Sequence, residues 1–481
     1  MTYKILVVGG GTAGIMAATY IKKYWKSNVD VTLVYDHSKP GIGVGESLTP
    51  VIYEYLDLVG ITREELIKNV NATVKLGLKF KNWLNDGKHY YHNFSQYQDS
   101  YYNLVAAYDI AHNQYDSDTS YNAAYMDNGL IPGDPNAGQA LHIDAVLFSR
   151  YIENKFRNEL TITDGVVDSV VKNNENIDHI VLNDGRKLSA DFYIDASGFQ
   201  TVLMKHMNTE WVDKSDWLPI DRCIPNPVEY EFTKQPPYTT SEASADGWIL
   251  QVPLSNRWGA GYLYSSEFTS DDEAFSKFSQ WTKQTYQKDL TNTSRVLSFK
   301  SGYWKDQWVG NCIAVGLASG FTEPLEATNI HHTVEQVRQF VHLNSLGYCS
   351  LDRINYNKIM QEFYENVYLY LRFCYTTKRT DSEFWRYMTN NTPSIVADLD
   401  EKAQMDFLTF YDSLGVMFSF GNFTRVAVGL KKCNRDKIKK ILTQRNLLER
   451  ARQESYSIRQ RRAQDLTRAV DHRKFIDSIL R

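Results

Sequence analysis

Residues 4–14 read Lys4-Ile5-Leu6-Val7-Val8-Gly9-Gly10-Gly11-Thr12-Ala13-Gly14. The apolar run Lys4–Val8, closed by glycines, predicts a buried strand, and the amphipathic stretch Ile15–Lys26 predicts a helix. Val29–Tyr35 predicts a second strand. Strand, glycine turn, helix and strand in that order are the opening βαβ unit of a doubly wound α/β sheet. Within the turn, Gly9, Gly11 and Gly14 satisfy the G-x-G-x-x-G spacing: Gly9 for the tight turn, Gly11 for close approach of a diphosphate, Gly14 for packing of helix on strand. The helix N-terminus, with Thr12 and Ala13, offers amide donors to the diphosphate. The acid that binds ribose in such units commonly ends the second strand. Tyr35 takes that place and Asp36 follows it, which makes Asp36 the candidate.

This spacing serves NAD as well as FAD. Two further glycine-bearing segments favour FAD, because a long dinucleotide with a bulky flavin end needs several close backbone approaches. They are Gly41-Ile42-Gly43-Val44-Gly45-Glu46 and Asp195-Ala196-Ser197-Gly198, the second closing a strand. Gly43, Val44, Gly45, Glu46, Asp195 and Gly198 therefore join the cofactor candidates.

With 481 residues the chain has room for two or three structural units. A formal charge of −4 gives no basic field to draw it onto nucleic acid, so a small ligand is expected. Five cysteines lie far apart without a C-x-x-C pair, which points away from zinc and disulfides and toward reduced thiols in the cytoplasm. No run reaches the ~18 apolar residues of a membrane span, and the start, Met1-Thr2-Tyr3-Lys4, enters a strand with no secretory leader. Tyr90, Tyr91, Phe94, Tyr97, Tyr101, Tyr102 and Tyr108 crowd one region, as a core edge or as the wall of an aromatic-binding pocket.

Further along, Thr73–Trp83 alternates in period two and predicts one antiparallel strand, with Val74, Leu76, Leu78 and Phe80 on one face and Lys75, Gly77, Lys79 and Lys81 on the other. Strand patterns return at Thr161–Val171, Ile177–Asn183 and Phe192–Asp195, with Asp184-Gly185 as the hairpin between the last two. Residues 210–310, including Trp248–Pro253, predict a second sheet. The pattern turns helical after Gly320, and from Tyr356 it is mostly helical with loops near Asn390–Pro393 and Gly415–Asn422. The expected division is a cofactor domain at 1–210 to which 295–345 returns, a substrate-side sheet at 211–294 and a helical region at 346–481. Basic residues crowd the last fifty positions, as a solvated helical face or a docking surface for an acidic partner.

The stretches Gly9–Gly14, Gly41–Pro50, Asn71–Trp83, Gly247–Leu254, Gly316–Ile330 and Gly421–Leu430 together resemble the flavin-dependent tryptophan halogenase family. The resemblance implies a GR2-type, flavin monooxygenase-like FAD domain with a second sheet layer and a mostly helical C-terminal region. It also implies an oxidoreductase that uses FADH2, O2 and a halide (chloride, bromide or iodide) to make hypohalous acid for an electron-rich aromatic substrate. In this likeness Lys75 is the catalytic lysine, hydrogen-bonding hypohalous acid or carrying the halogen as a haloamine. The amides of Thr328 and Asn329 hold the halide, Gly316 and Leu317 lie beside the flavin, and Glu326 is the active-site carboxylate, touching substrate. Trp248 keeps substrate from the flavin, and His92 and Phe94 contact the aromatic ring. A separate flavin reductase supplies FADH2. The chain departs from the family at Leu250 and Val252 of the Trp-x-Trp-x-Ile-Pro signature, at Asn329 where glycine is usual, and at Phe418–Asn422, which lacks a nearby tryptophan.

Residue chemistry alone leaves other readings open. Lys75 fits a solvent face, and Glu326 fits a helix-terminal acid. An FAD-dependent aromatic hydroxylase and a non-catalytic flavoprotein share the glycine motifs. Self-assembly of the chain is equally open.

Overall fold

The computed structural model describes residues 2–39, 43, 45–94, 99–112, 122–134, 139–291, 293–344, 347–406 and 417–481. It divides into two compact units, Met1–Ala72 with Ile143–Asp216 and Phe299–Tyr364, and Thr73–His142 with Trp217–Ser298 and Glu365–Arg481.

In the first unit the apolar opening run forms the strand Tyr3–Val8, whose last four residues are buried. It lies at the middle of a sheet ordered Trp308–Val309, Cys312–Ala314, Phe192–Asp195, Tyr3–Val8, Val29–Tyr35 and Thr161–Asp164. All pairings are parallel except that of the edge strand Trp308–Val309. Parallel strands buried on both faces need continuous apolar runs, which Ile5–Val8 and Phe192–Ile194 supply. The first helix spans Thr12–Trp25, starting at the glycine turn rather than at Ile15. It buries Ile15, Met16, Ala17, Ala18 and Ile21, and Trp25 packs on Phe340 of the helix Thr328–Leu343. The hairpin at Asp184-Gly185 is present, but its return strand is Lys187–Leu188, while Phe192–Asp195 joins the large sheet.

The second unit is built on a seven-stranded sheet ordered Leu297–Ser298, Arg222–Glu229, Arg257–Tyr264, Gly247–Pro253, Thr239–Ala243, Gly77–Lys81 and His89–Asn93. Gly77–Lys81 runs parallel to Thr239–Ala243. That pairing draws residues 73–142 away from the expected 1–210 domain. The stretch 73–83 is also not one strand. Thr73–Lys75 pairs antiparallel with Ala140–Ile143 in a different sheet, and the break falls at Leu76, whose N–H donates to the Pro237 carbonyl at 2.8 Å. Lys75 thereby leaves the face it was expected to share with Lys79 and Lys81.

Helices follow, among them Ser350–Cys374, Glu383–Asn390 and Ser394–Asp406. The loop expected at Gly415–Asn422 is helical at its end. Phe420–Gly429 is a helix started by a capping box in which Ser419 and Asn422 satisfy each other's backbone; residues 407–416 lie outside the described ones. Among the described residues no helix is long and apolar enough to cross a membrane.

Candidate active site

The glycine turn opens onto a cleft of about 470 Å³ in the first unit, lined by Gly9, Gly10, Gly11, Thr12, Asp36, Glu153, Ala196, Ser197 and Gly198 among others. Each glycine has its own reason. Gly9 sits at φ +120, and a Cβ there would lie 2.2 Å from the Ala196 carbonyl oxygen. A Cβ on Gly14 would lie 1.8 Å from the Gly9 carbonyl oxygen, so the helix can approach the strand only without one. At Gly11 a Cβ would meet nothing within 4 Å, because this position faces the open cleft. Gly11 also caps the helix without a side-chain bond, and no acid stands in the first turn. The terminal amides and their positive potential are thus left for an anion, and these features fit the diphosphate of a dinucleotide. Ala13 and Gly14 support the turn from behind rather than lining the cleft.

Asp36 lines the cleft. Its carboxylate accepts from the Ser38 amide and hydroxyl, and these bonds hold it below the usual carboxylate range. The Tyr35 hydroxyl donates to Glu153 at 2.5 Å, which brings a second acid to the same cleft from the helix Ala145–Phe156. Glu153, Ser149 and Arg150 escaped the sequence reading because more than a hundred residues separate them from the glycine turn, with no local pattern to mark them.

Asp195 departs from expectation. It is fully buried, and its oxygens accept from the amides of Ser197, Leu203 and Met204 at 3.0, 2.7 and 2.7 Å. Burial raises its pKa and these bonds oppose the rise. It shapes the Ala196–Gly198 turn, and Gly198 itself faces the cleft. Gly43 lies against the helix Ala145–Phe156, where a Cβ would meet Val146 at 3.3 Å, and Gly45 is at φ +131. Val44 lies outside the described residues.

Glu46 heads a two-residue strand, and burial pushes its carboxyl from 4.5 up to about 7. The folded protein therefore binds a proton that the unfolded chain has released, and stability falls as pH rises between these two values. Glu46→Gln, neutral at every pH, is expected to flatten that fall in the cofactor-free protein and to raise the melting temperature at pH 8 by roughly 2–4 °C. Thermal melts from pH 4 to 8 check this, and a variant with the wild-type pH slope would show that Glu46 does not hold the proton.

Gly316 and Leu317 form a 3₁₀ turn after the strand Cys312–Ala314, and Gly316, at φ +59, sits against Ala13. The segment then reaches Pro324–Glu326 and Ala327, at φ +60, before the helix Thr328–Leu343. A non-glycine residue in the left-handed region costs about 1 kcal/mol. Ala327 offers no side-chain cap, so the first amides of this 16-residue helix are left to an anion. Thr328 is buried with its hydroxyl 2.8 Å from that of Thr322, Asn329 is half-buried, and Glu326 is buried.

Two residues missed in the sequence support this turn. The His332 Nδ1–H donates to the Thr328 carbonyl at 3.1 Å while its ring stacks on Tyr364, and His331 Nδ1 lies 2.9 Å from the Thr49 hydroxyl. Burial depresses both imidazoles to about 3, which keeps them neutral.

In the second unit Lys75 has 0% exposure and its ammonium lies 5.0 Å from the Phe94 ring. The strand beneath it is held through Thr73, whose hydroxyl donates to the Pro253 carbonyl at 2.6 Å and accepts from His142 Nδ1 at 2.9 Å. Burial, then Lys75 and His472, drive the His142 pKa well down, so its Nε2 accepts from the Thr239 hydroxyl at 3.0 Å. His92 is engaged at both nitrogens: Nε2 accepts from Asn422 at 2.9 Å and Nδ1 meets the Tyr370 hydroxyl at 3.1 Å. Its ring thus orients Tyr370, which stacks on Phe418 at 3.7 Å. Trp248 has 0% exposure inside the strand Gly247–Pro253, and Leu250 in the same strand is buried too. Of the tyrosine cluster, Tyr90 stacks on Phe80 at 4.8 Å in the core, whereas Tyr97 lies outside the described residues.

A family model described as tryptophan halogenase matches residues 4–443. The tryptophan 7-halogenase RebH of Lentzea aerocolonigenes is 29% identical over 442 residues, 84% of this chain and 81% of its own. KtzQ of Kutzneria sp. (strain 744), another tryptophan 7-halogenase, is 31% identical over 418 residues, 79% of this chain and 78% of its own. Among solved structures, Xcc4156, a flavin-dependent halogenase from Xanthomonas campestris, superposes with a TM-score of 0.89 at 25% identity, covering 100% of this chain and 98% of the other.

Proposed function

The chain belongs to the tryptophan halogenase family, enzymes of aromatic halogenation, and from that premise we propose that it uses FADH2, O2 and a halide to halogenate an electron-rich aromatic of the indole or phenol type. The observation that carries this reading is Lys75, an ammonium with 0% exposure held on a short strand beside an aromatic ring. Burying an ammonium is expensive, and a fold retains one where its chemistry is used.

When bound, reduced FAD supplies the O2-dependent oxidation of halide to hypohalous acid. The Gly9–Gly14 turn and its helix terminus hold the diphosphate, with Asp36 and Glu153 as the acids for the ribose. The amides of Thr328 and Asn329 hold the halide without a charged side chain. Lys75 hydrogen-bonds the hypohalous acid, or carries the halogen as a haloamine, and so directs it to one ring carbon. The ring carbon gains the halogen and loses a proton, and the hydroxide released combines with that proton as water. Glu326 stabilises the cationic ring intermediate and takes its proton. Phe94 contacts the substrate ring from beside Lys75, and His92 acts through Tyr370. A separate flavin reductase in the same compartment, the cytoplasm, supplies the reduced cofactor.

The test is mass spectrometry of reactions with indoles and phenols, supplied with FAD, NADH, a flavin reductase and chloride, bromide or iodide in turn. Product carrying the added halide in place of hydrogen, only with enzyme, is expected. Oxygen incorporated regardless of halide would make the protein a hydroxylase.

A further inference from the structure

Lys75 ends a three-residue strand that, among the described residues, stands at the edge of its sheet. An edge amide in such a place is ordinarily left to water. Here the Val74 N–H, one residue from the lysine, donates at 3.0 Å to Nε2 of His472, a fully buried imidazole. The ring's other nitrogen lies 3.2 Å from the Gln235 carbonyl, an oxygen that can only accept. Nδ1 therefore carries the proton, and Nε2 presents its lone pair to Val74.

His472 is itself fixed from several sides. Its amide donates to the Gly129 carbonyl at 3.0 Å, and Val470–Asp471 pairs antiparallel with Leu130–Ile131. Asp471 caps the helix His472–Leu480 through the Lys474 amide at 2.9 Å. Leu466, Ala469 and Phe475 pack on the cluster that contains Val74 and Leu76, the two neighbours of Lys75. Arg473 donates to the Ser255 carbonyl at 2.7 Å, two residues past Pro253, which receives the Thr73 hydroxyl. The whole segment lies past residue 443, where the family match ends.

We infer that the C-terminal segment 466–480 is a clamp on the catalytic strand and that His472 is a positioning residue for Lys75, its Nε2 receiving the Val74 amide as a neighbouring strand would. The inference rests on the assignment of halogen transfer to Lys75. A lysine that must deliver a halogen to one carbon cannot tolerate drift of its own backbone, since a displacement of about 1 Å costs on the order of 10²-fold.

The experiment uses the full chain with FAD, a flavin reductase, NADH, bromide and indole, and measures bromoindole formed per FADH2 oxidised. Taurine is present to trap hypobromous acid that escapes. His472→Ala and His472→Phe, the latter keeping the ring without the acceptor, are expected to lose about tenfold or more in this ratio, as escape to taurine rises and FADH2 oxidation continues at the wild-type rate. His472→Gln, whose amide can both accept from Val74 and donate to Gln235, is expected to return within about threefold of wild type. Amide hydrogen exchange of the peptide containing Val74 should accelerate in the first two variants and not in the third.

A wild-type ratio in His472→Phe overturns the inference, and so does a Gln variant as poor as Phe. If the Ala variant does not fold, the Gln and Phe pair decides. Lys75→Ala measured alongside separates the two assignments: a wild-type ratio there fails the lysine reading itself, whereas loss at Lys75 without loss at His472→Phe fails only the clamp.

Discussion

Lys75→Ala is expected to lower halogenated product by roughly 10²–10³-fold, the usual cost of removing one positioned polar group from a reaction centre, with FAD binding and FADH2 oxidation retained. The side chain has 0% exposure, so its removal relieves the desolvation of a buried ammonium, and the variant is expected to fold. Lys75→Met, which keeps most of the volume, should be as inactive as alanine; if it retains activity, the ammonium is not what the reaction uses. The control is Lys79, three residues past the strand break at Leu76. Its ammonium lies 5.4 and 5.3 Å from the rings of Tyr91 and Tyr238, and the residue is partly exposed. Lys79→Ala should change the product yield by less than about threefold, as a cation–π contact at such a site is worth only ~0.5–1 kcal/mol. Liquid chromatography with mass detection reads the product, and oxygen uptake reads the flavin reaction. Equal losses at Lys75 and Lys79 would mean that the region is needed for folding and that neither lysine transfers halogen.

The contrast between those two lysines also shows where sequence reading reaches its limit. Period-two alternation runs unbroken through Thr73–Trp83, and nothing local reveals that the Leu76 amide bonds to Pro237 or that the chain changes sheets there. A lysine that alternation alone leaves on a solvent face is therefore buried, and only the motif resemblance pointed to it. The opening βαβ unit was legible because its determinants are adjacent in the chain: an apolar run, a turn that sterically demands glycine and a helix that follows at once. Glu153 was not, since it reaches the cleft through tertiary packing and is tied there by Tyr35. Asp195, an acid at a strand end beside a glycine, reads in sequence as a ligand; the fold adds a second task that no local pattern marks, since its carboxylate accepts from the amides of Ser197, Leu203 and Met204. Gly421 and Asn422 read as loop residues, but Asn422 completes a capping box and so starts a helix instead of breaking one. Gly429, at the end of that helix, is needed for packing: a Cβ there would lie 2.3 Å from the Tyr90 ring.

The glycine turn yields the second large effect, because Gly11 and Gly14 satisfy the same motif for opposite reasons. A methyl group at Gly14 would sit 1.8 Å from the Gly9 carbonyl oxygen and 3.3 Å from the Ala196 side chain, so helix and strand must move apart. Overpacking of this kind costs about 3 kcal/mol at the upper end of the usual range, and Gly14→Ala should melt roughly 6–12 °C below wild type even without cofactor. A methyl group at Gly11 meets nothing within 4 Å, and the residue's φ of −74 suits alanine. Gly11→Ala should therefore keep its melting temperature, less at most about 1 kcal/mol for a poorer helix cap. Its methyl, however, points into the cleft where the diphosphate is expected to contact the backbone, and FAD affinity should fall by roughly 30-fold, about 2 kcal/mol. Fluorescence titration with FAD and melting of the cofactor-free protein separate the two effects. A Gly11→Ala protein that binds FAD as tightly as wild type would mean that the diphosphate does not cross this turn, and a Gly14→Ala protein with an unchanged melting temperature would mean that helix and strand are not in close contact there.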